Sequence, residues 1–178
     1  MKKELIYVGI GPRSAGEDVL EMAKDCGTAL AEMGWTLRSG GAEGMDEAFE
    51  RGCDKANGAK EIYIPSADFR KRFKDTDKVV HCLPKHIEAM RLLHEYVDVK
   101  AWESLATQVQ MFLVRNVFAL AGEKLDKPAD CVITWNMYPH TGSAYLIGLA
   151  EAAEIPVFNL RLEGQQEALE DFVQSKTA

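Results

Sequence analysis

Short apolar runs alternate along this chain with longer stretches in which apolar side chains return every three or four positions. The runs read as buried strands and the longer stretches as amphipathic helices. Residues 5–10 form the first strand, which Gly11-Pro12-Arg13-Ser14 ends. From about residue 17 to 33, Val19, Ala23, Cys26, Leu30 and Met33 mark one helix face, and Gly34 stands where a C-cap belongs. Residues 35–38 predict a second strand. Met45, Ala48, Phe49, Cys53 and Ala56 predict a second helix, stopped by Asn57-Gly58. Residues 60–64, closed by Pro65, make a third strand.

The pattern then changes. Residues 66–83 read as a long loop or short helix beyond the strand ends, with Phe69-Arg70-Lys71-Arg72-Phe73-Lys74 a basic run flanked by aromatics. A solvated loop, a lid over phosphate and a single-strand nucleic-acid contact all fit that composition. Pro84 suits the first turn of a helix over residues 85–99. A further helix over 103–121 is apolar on more than one face, as a deeply buried helix or one shared with a partner subunit would be. Arg115-Asn116 interrupt it, and such a pair must be hydrogen-bonded or point into a site. Residues 131–135 predict a fourth strand, 143–154 a helix, 155–159 a fifth strand and 164–174 a last helix. Strands alternating with helices across short loops imply right-handed crossovers. The chain is therefore expected to be one α/β domain over residues 1–178, a doubly wound, mainly parallel sheet of at least five strands flanked by helices.

Composition narrows the function. The 178 residues are 47% hydrophobic and 28% charged, ordinary for a globular protein. A net charge of −7 argues against non-specific binding to DNA, RNA or anionic membrane, because neutralising phosphates usually supplies that affinity. The first apolar run is broken by Gly9, Gly11 and Pro12, so it is read as neither a signal peptide nor a membrane span. Cys26, Cys53, Cys82 and Cys131 form no C-x-x-C pair and are read as free thiols in a reducing cytoplasm. No metal-ligand spacing and no Ser-His-Asp series stands out, and no cofactor is expected.

The candidate chemistry lies in three loops. Ser39-Gly40-Gly41-Ala42-Glu43-Gly44-Met45-Asp46 joins the second strand to the second helix and leaves backbone uncovered at a helix N-terminus, where an anion is favoured. It is neither a G-x-G-x-x-G nor a Walker loop, and a structural turn needing positive φ is the competing reading. Gly11, Arg13 and Ser14 follow the first strand, and residues 136–143 follow the fourth. In a doubly wound sheet such loops gather at one edge. Free N–H groups, hydroxyls and the cations Arg13 and Arg115 would make a phosphate or nucleotide site there.

The glycine stretch resembles the S-G-G-A-x-G-x-D signature of the SLOG superfamily, which includes the DNA-processing protein A and LONELY GUY families. Gly9-Ile10-Gly11-Pro12-Arg13, Arg115-Asn116 and Thr141-Gly142-Ser143 match further segments of that pattern in order. The short form looks most like small stand-alone members, virus-encoded ones included. The resemblance implies a Rossmann-like domain for a nucleotide or nucleotide-derived ligand, in a homo-oligomer of the cytoplasm (the host's, for a viral protein). It implies that Gly40, Gly41, Ala42 and Gly44 hold phosphate through N–H groups and that Asp46 caps the helix or orders their loop. It also implies that Arg115 contacts phosphate or ribose, and that Thr141, Gly142 and Ser143 form the opposite half.

The departures limit the chemistry. Phosphoribohydrolase members carry P-G-G-x-G-T-x-x-E with an essential Glu, whereas Pro139-His140 stand here for G-G and Leu146 for the Glu. Glu43 is a distant substitute, and His140 suits a loop or ligand contact better than acid–base work. Capture of a nucleotide or nucleotide-derived small molecule, signalling nucleotides among the candidates, is thus the first expectation. A nucleotide-processing enzyme and a single-stranded DNA binder are the alternatives. A fold-sparing loss of binding is expected of Gly41→Val or Arg115→Ala.

Overall fold

The computed structural model describes residues 4–71, 77–80, 85–95, 99–137 and 142–177. Its strands are β1 (Ile6–Gly9), β2 (Thr36–Ser39), β3 (Lys60–Ile64), β4 (Asp77–Val79), β5 (Cys131–Thr134) and β6 (Val157–Asn159). The helices are α1 (Glu17–Glu32), α2 (Met45–Lys55), α3 (His86–His94), α4 (Val99–Ser104), α5 (Thr107–Ala121), α6 (Gly142–Ala152) and α7 (Gln165–Thr177). All strand pairs are parallel, in the order β4-β3-β2-β1-β5-β6. This is the expected doubly wound, Rossmann-like α/β architecture. The chain winds outward from β1 to β4, then crosses back to β5 on the other side of β1. The switch point lies between β1 and β5, where ligands of such sheets bind beyond the strand ends.

Period-two alternation divides the core between the two faces of the sheet. Ile6, Val8 and Val132 lie in a cluster with residues of α3 to α6, whereas Tyr7, Leu37, Ile62 and Ile133 cluster with α1, α2 and α7. Helix ends follow local chemistry. After α1, Gly34 (φ 80°) donates to the Ala31 carbonyl at 2.9 Å and Trp35 to that of Leu30 at 3.0 Å, a Schellman closure. Asn57, at φ 52°, plays the same part after α2.

Three expectations change. The stretch read as a long loop or short helix contains a 3-10 turn, Phe69–Lys71, and also the edge strand β4, which was not expected. The long helix expected over 85–99 ends at His94, and the next separates into α4 and α5, with Ala106 extended (ψ 142°) before the first turn of α5. Every residue of α5 from 113 to 120 is buried within the chain, whereas Val109 in its first half stays 38% exposed. No helix among the described residues is long and apolar enough to cross a membrane.

Candidate functional site

Beyond the carboxyl ends of β1, β2 and β5 a cleft of about 670 Å³ opens between the loops and the first half of α5. Its polar side holds Arg13, Ser14, Arg115, Asn116 and Ser143. Its apolar side holds Leu105, Val109, Phe112, Met137 and Tyr145. This volume falls within the range of small-molecule sites, and so does the mixture of an apolar wall with a few polar groups.

The glycine turn forms one border. Ser39 ends β2 buried, and its hydroxyl donates to the Gly9 carbonyl at 2.7 Å, tying the first two strand ends together. Gly41 and Gly44 have φ of 62° and 78°. A Cβ on Gly44 would lie 2.3 Å from the Arg13 carbonyl oxygen and 2.5 Å from that of Pro12. The glycine is therefore required by backbone conformation and by the close approach of the β1 loop. Met45 N, at the start of α2, donates to the Pro12 carbonyl at 3.2 Å and holds that approach.

Asp46 fills the concavity between the two loops. Its Oδ1 accepts from Gly11 N and its Oδ2 from Ala42 N, both at 3.3 Å. Burial raises its carboxyl above the ordinary carboxylate value, opposed by Arg115 and by the N–H groups of Ala42, Gly11 and Gly40. Arg115 is only 7% exposed. Its Nη1 donates to the Gly40 carbonyl, and its Nε to Asn116 Oδ1 at 3.0 Å. Burial lowers the guanidinium, and Asp46 works against that shift. Each charge thus offsets part of the effect of burial on the other. Gly40 leaves the space this guanidinium fills, since a Cβ there would sit 1.9 Å from Arg115 Nη1. Asn116 Nδ2 then donates to the Gly142 carbonyl at 3.0 Å, linking α5 to the start of α6.

The structure brings Gly11, Arg13, Ser14, Ala42 and Asp46 to the cleft from the first two loops, and Arg115, Asn116, Gly142 and Ser143 from the helices. Ser39, Gly40, Gly41 and Gly44 build the border behind it. Thr141 and His140 lie outside the described residues, as do Arg72, Phe73 and Lys74 of the basic segment, and Cys82.

Sequence reasoning missed Phe112 as a wall of the cleft and read it only as part of an apolar side of the helix over 103–121. The Arg13 guanidinium carbon lies 5.1 Å from the centre of its ring and that of Arg115 5.6 Å away. The Phe69 ring meets it edge-on at 5.8 Å. The signal was present, since Val109, Phe112 and Asn116 share one helical stripe. What was not legible was that the first half of α5 overhangs the sheet edge. Arg70 fastens the glycine turn from outside, donating to the Gly41 carbonyl and to Glu47 Oε2, each at 3.0 Å. Arg70→Ala is expected to lower stability by only about 1 kcal/mol, the net worth of one such bond. Urea unfolding measures this directly.

Among the described residues no group of three or more His, Cys, Asp or Glu could hold a metal. The described thiols Cys26, Cys53 and Cys131 are free. Burial pushes Cys26 up to about 12 and Cys53 to about 11, which suits inert core thiols rather than nucleophiles.

Fold and cleft together define a Rossmann-like α/β protein with a small-molecule cleft at its switch point. Within this class, residues 5–82 match the model of the SLOG cluster4 family, which supports the SLOG resemblance. No curated protein matches the chain by sequence. Among solved structures, the Moco carrier protein of Chlamydomonas reinhardtii is similar at 22% identity and a TM-score of 0.60, over 97% of this chain and 85% of that one. DNA processing protein A from Helicobacter pylori is similar at 20% identity and 0.58, over 98% and 78%. The molybdenum cofactor binding protein of Rippkaea orientalis is similar at 20% identity and 0.54, over 99% and 88%. At these identities the likeness is one of fold.

Proposed function

We propose that this protein is a SLOG-type binding module that captures a nucleotide or nucleotide-derived small molecule in the cleft at the β1–β5 switch point. One observation carries the reading. A cleft of about 670 Å³ joins an exposed guanidinium, Arg13, to an apolar wall centred on Phe112. Among the described residues Arg13 has no carboxylate partner. An anionic group suits the arginine end, and a flat apolar body suits the ring end. Capture is preferred to turnover because no described residue of the cleft is placed as a general acid or base. Among the described residues Asp46 is the one carboxylate in its lining, and both its oxygens are taken up by loop N–H groups. A single-stranded DNA binder is supported less well, given the net charge of −7.

The test is thermal stability against a panel of nucleotides, cyclic dinucleotides and ADP-ribose derivatives. The similarity to Moco carriers places that cofactor in the same panel. A ligand of the native state raises Tm by linkage, and its recovery intact marks capture. Arg13→Gln is expected to weaken that ligand about 10- to 100-fold, the worth of one charge-assisted hydrogen bond, while leaving Tm of the free protein unchanged. Turnover of the recovered ligand would establish an enzyme instead. A Tm shift from oligonucleotides alone, with steep salt dependence, would establish the DNA reading.

A further inference from the structure

Helix α1 carries two apolar stripes. Val19, Ala23, Gly27 and Leu30 are buried in the core. Met22, Cys26, Ala29 and Met33 follow the same helical spacing, but the first three are half-buried and Met33 stays 51% exposed. This second stripe walls a groove of about 480 Å³, and Leu169 and Val173 of α7 form the opposite wall. The charges around the groove are one-sided. In α1, Glu17, Asp18, Glu21, Asp25 and Glu32 stand against Lys24 alone, and in α7, Glu167, Glu170 and Asp171 stand against Lys176 alone. These two helices therefore hold most of the chain's net charge of −7. Both lysines are engaged, Lys24 with Glu21 at 2.6 Å and Lys176 over the Phe172 ring, 5.3 Å from its centre. Asp25 and Glu170 line the groove, are exposed, and have no ion-pair partner among the described residues.

We propose that the groove between α1 and α7 docks a basic amphipathic helix of a partner protein. Apolar side chains of that helix, returning every three or four residues, enter between the two stripes, and the Lys or Arg beside them meet Asp25 and Glu170. The walls are helical side chains rather than a strand edge, so an added strand has no backbone to pair with and side-chain packing carries the recognition. Met22 and Met33 suit that role, because flexible thioethers repack around an incoming side chain. A second copy of this chain would bring the same acidic face into a self-complementary contact, where like charges oppose docking. Anionic lipid and nucleic acid are repelled for the same reason. The groove shares no lining residue with the cleft at the β1–β5 switch point, so the proposal stands apart from the nucleotide reading.

The experiment is fluorescence anisotropy at physiological ionic strength with a labelled helical peptide of leucine and lysine, its leucines at every third and fourth position. One control peptide keeps the leucines and replaces lysine by glutamate, and another keeps the lysines and replaces leucine by serine. The leucine–lysine peptide is expected to bind at least about tenfold more tightly than either control. Met33→Gln and Glu170→Lys, both at exposed positions, are each expected to weaken it about fivefold or more while leaving the Tm of the free protein unchanged. Glu151→Lys makes the same charge change on an exposed position of α6 and should alter the affinity by less than about twofold. Equal losses from Glu170→Lys and Glu151→Lys would mean that the peptide senses net charge alone, and would overturn the proposal. Either control peptide binding as tightly as the leucine–lysine peptide would overturn it too, as would no binding by any peptide. Sedimentation of the free protein supplies a further arm: a dimer that Met33→Gln dissociates would assign the groove to a second copy instead.

Discussion

Arg115→Ala is expected to lower unfolding stability by about 3–5 kcal/mol, because it removes two hydrogen bonds of a buried guanidinium and the positive charge that offsets the buried Asp46. The side chain is 7% exposed, donates to the Gly40 carbonyl and the Asn116 carboxamide, and opposes the charge of Asp46. Removing it takes a partner from all three beside the cleft. For a domain of this size the loss corresponds to a fall in Tm on the order of 10 °C. Arg115→Lys restores charge but not the fork of donors, so an intermediate loss is expected. A double-mutant cycle with Asp46→Asn should show coupling of about 1–3 kcal/mol, as for groups in one network. Urea unfolding of the variants decides this. An unchanged midpoint for Arg115→Ala would mean that the buried network contributes nothing to folding. Sequence alone suggests a substitution that removes ligand binding and spares the fold. The burial of the guanidinium replaces that expectation with a loss of both.

Gly44→Ala is expected to cost about 3 kcal/mol or more, from two sources that a control can separate. Its φ of 78° and ψ of −124° lie where a residue with a Cβ is strained by about 1–3 kcal/mol. The added methyl would also press on the carbonyl oxygens of Pro12 and Arg13, which are backbone and cannot swing aside. Overpacking of that kind costs a further 1–3 kcal/mol, roughly. Gly34 isolates the first source, since its φ is 80° and a Cβ there would meet nothing within 4 Å. Gly34→Ala should therefore cost only about 1 kcal/mol. If the two substitutions prove equally costly by chemical denaturation, the close approach of the β1 loop to the glycine turn is not what the position requires. Gly44→Ala should also separate Gly11 from the Asp46 carboxylate, so ligand binding is lost with the stability.

Much of the fold was legible because its signals are local. Helix α1 shows its period in Val19, Ala23 and Leu30, and its stop in Gly34. The strands β1 and β3 are short runs that end at Gly9 and before Pro65, β2 ends at Ser39, and β5 carries the apolar run Cys131-Val132-Ile133. Strand β4 was not legible. Asp77-Lys78-Val79 is three residues long and mostly polar, and only pairing with β3 at the sheet edge makes it a strand. The break between α4 and α5 was hidden as well, because Leu105-Ala106 is compatible with a continuous helix and tertiary packing decides otherwise.

The loops that border the cleft could be read from Gly11, Gly40, Gly44 and Gly142. The division of labour within them could not. That Asp46 occupies the concavity itself, that Arg115 is buried structure rather than an open cation, and that Phe112 faces the cleft all depend on where α5 crosses the sheet edge. No spacing along the chain contains that information.

The central claim is that ligand binds at the β1–β5 switch point, and amide hydrogen exchange with and without a stabilising nucleotide tests it most directly. Slowed exchange is expected in residues 9–14, 40–46 and 109–116, with Arg13→Gln abolishing it at the same nucleotide concentration. Protection confined to the groove between α1 and α7, where Met22, Cys26 and Leu169 line a second cavity of about 480 Å³, would contradict the account.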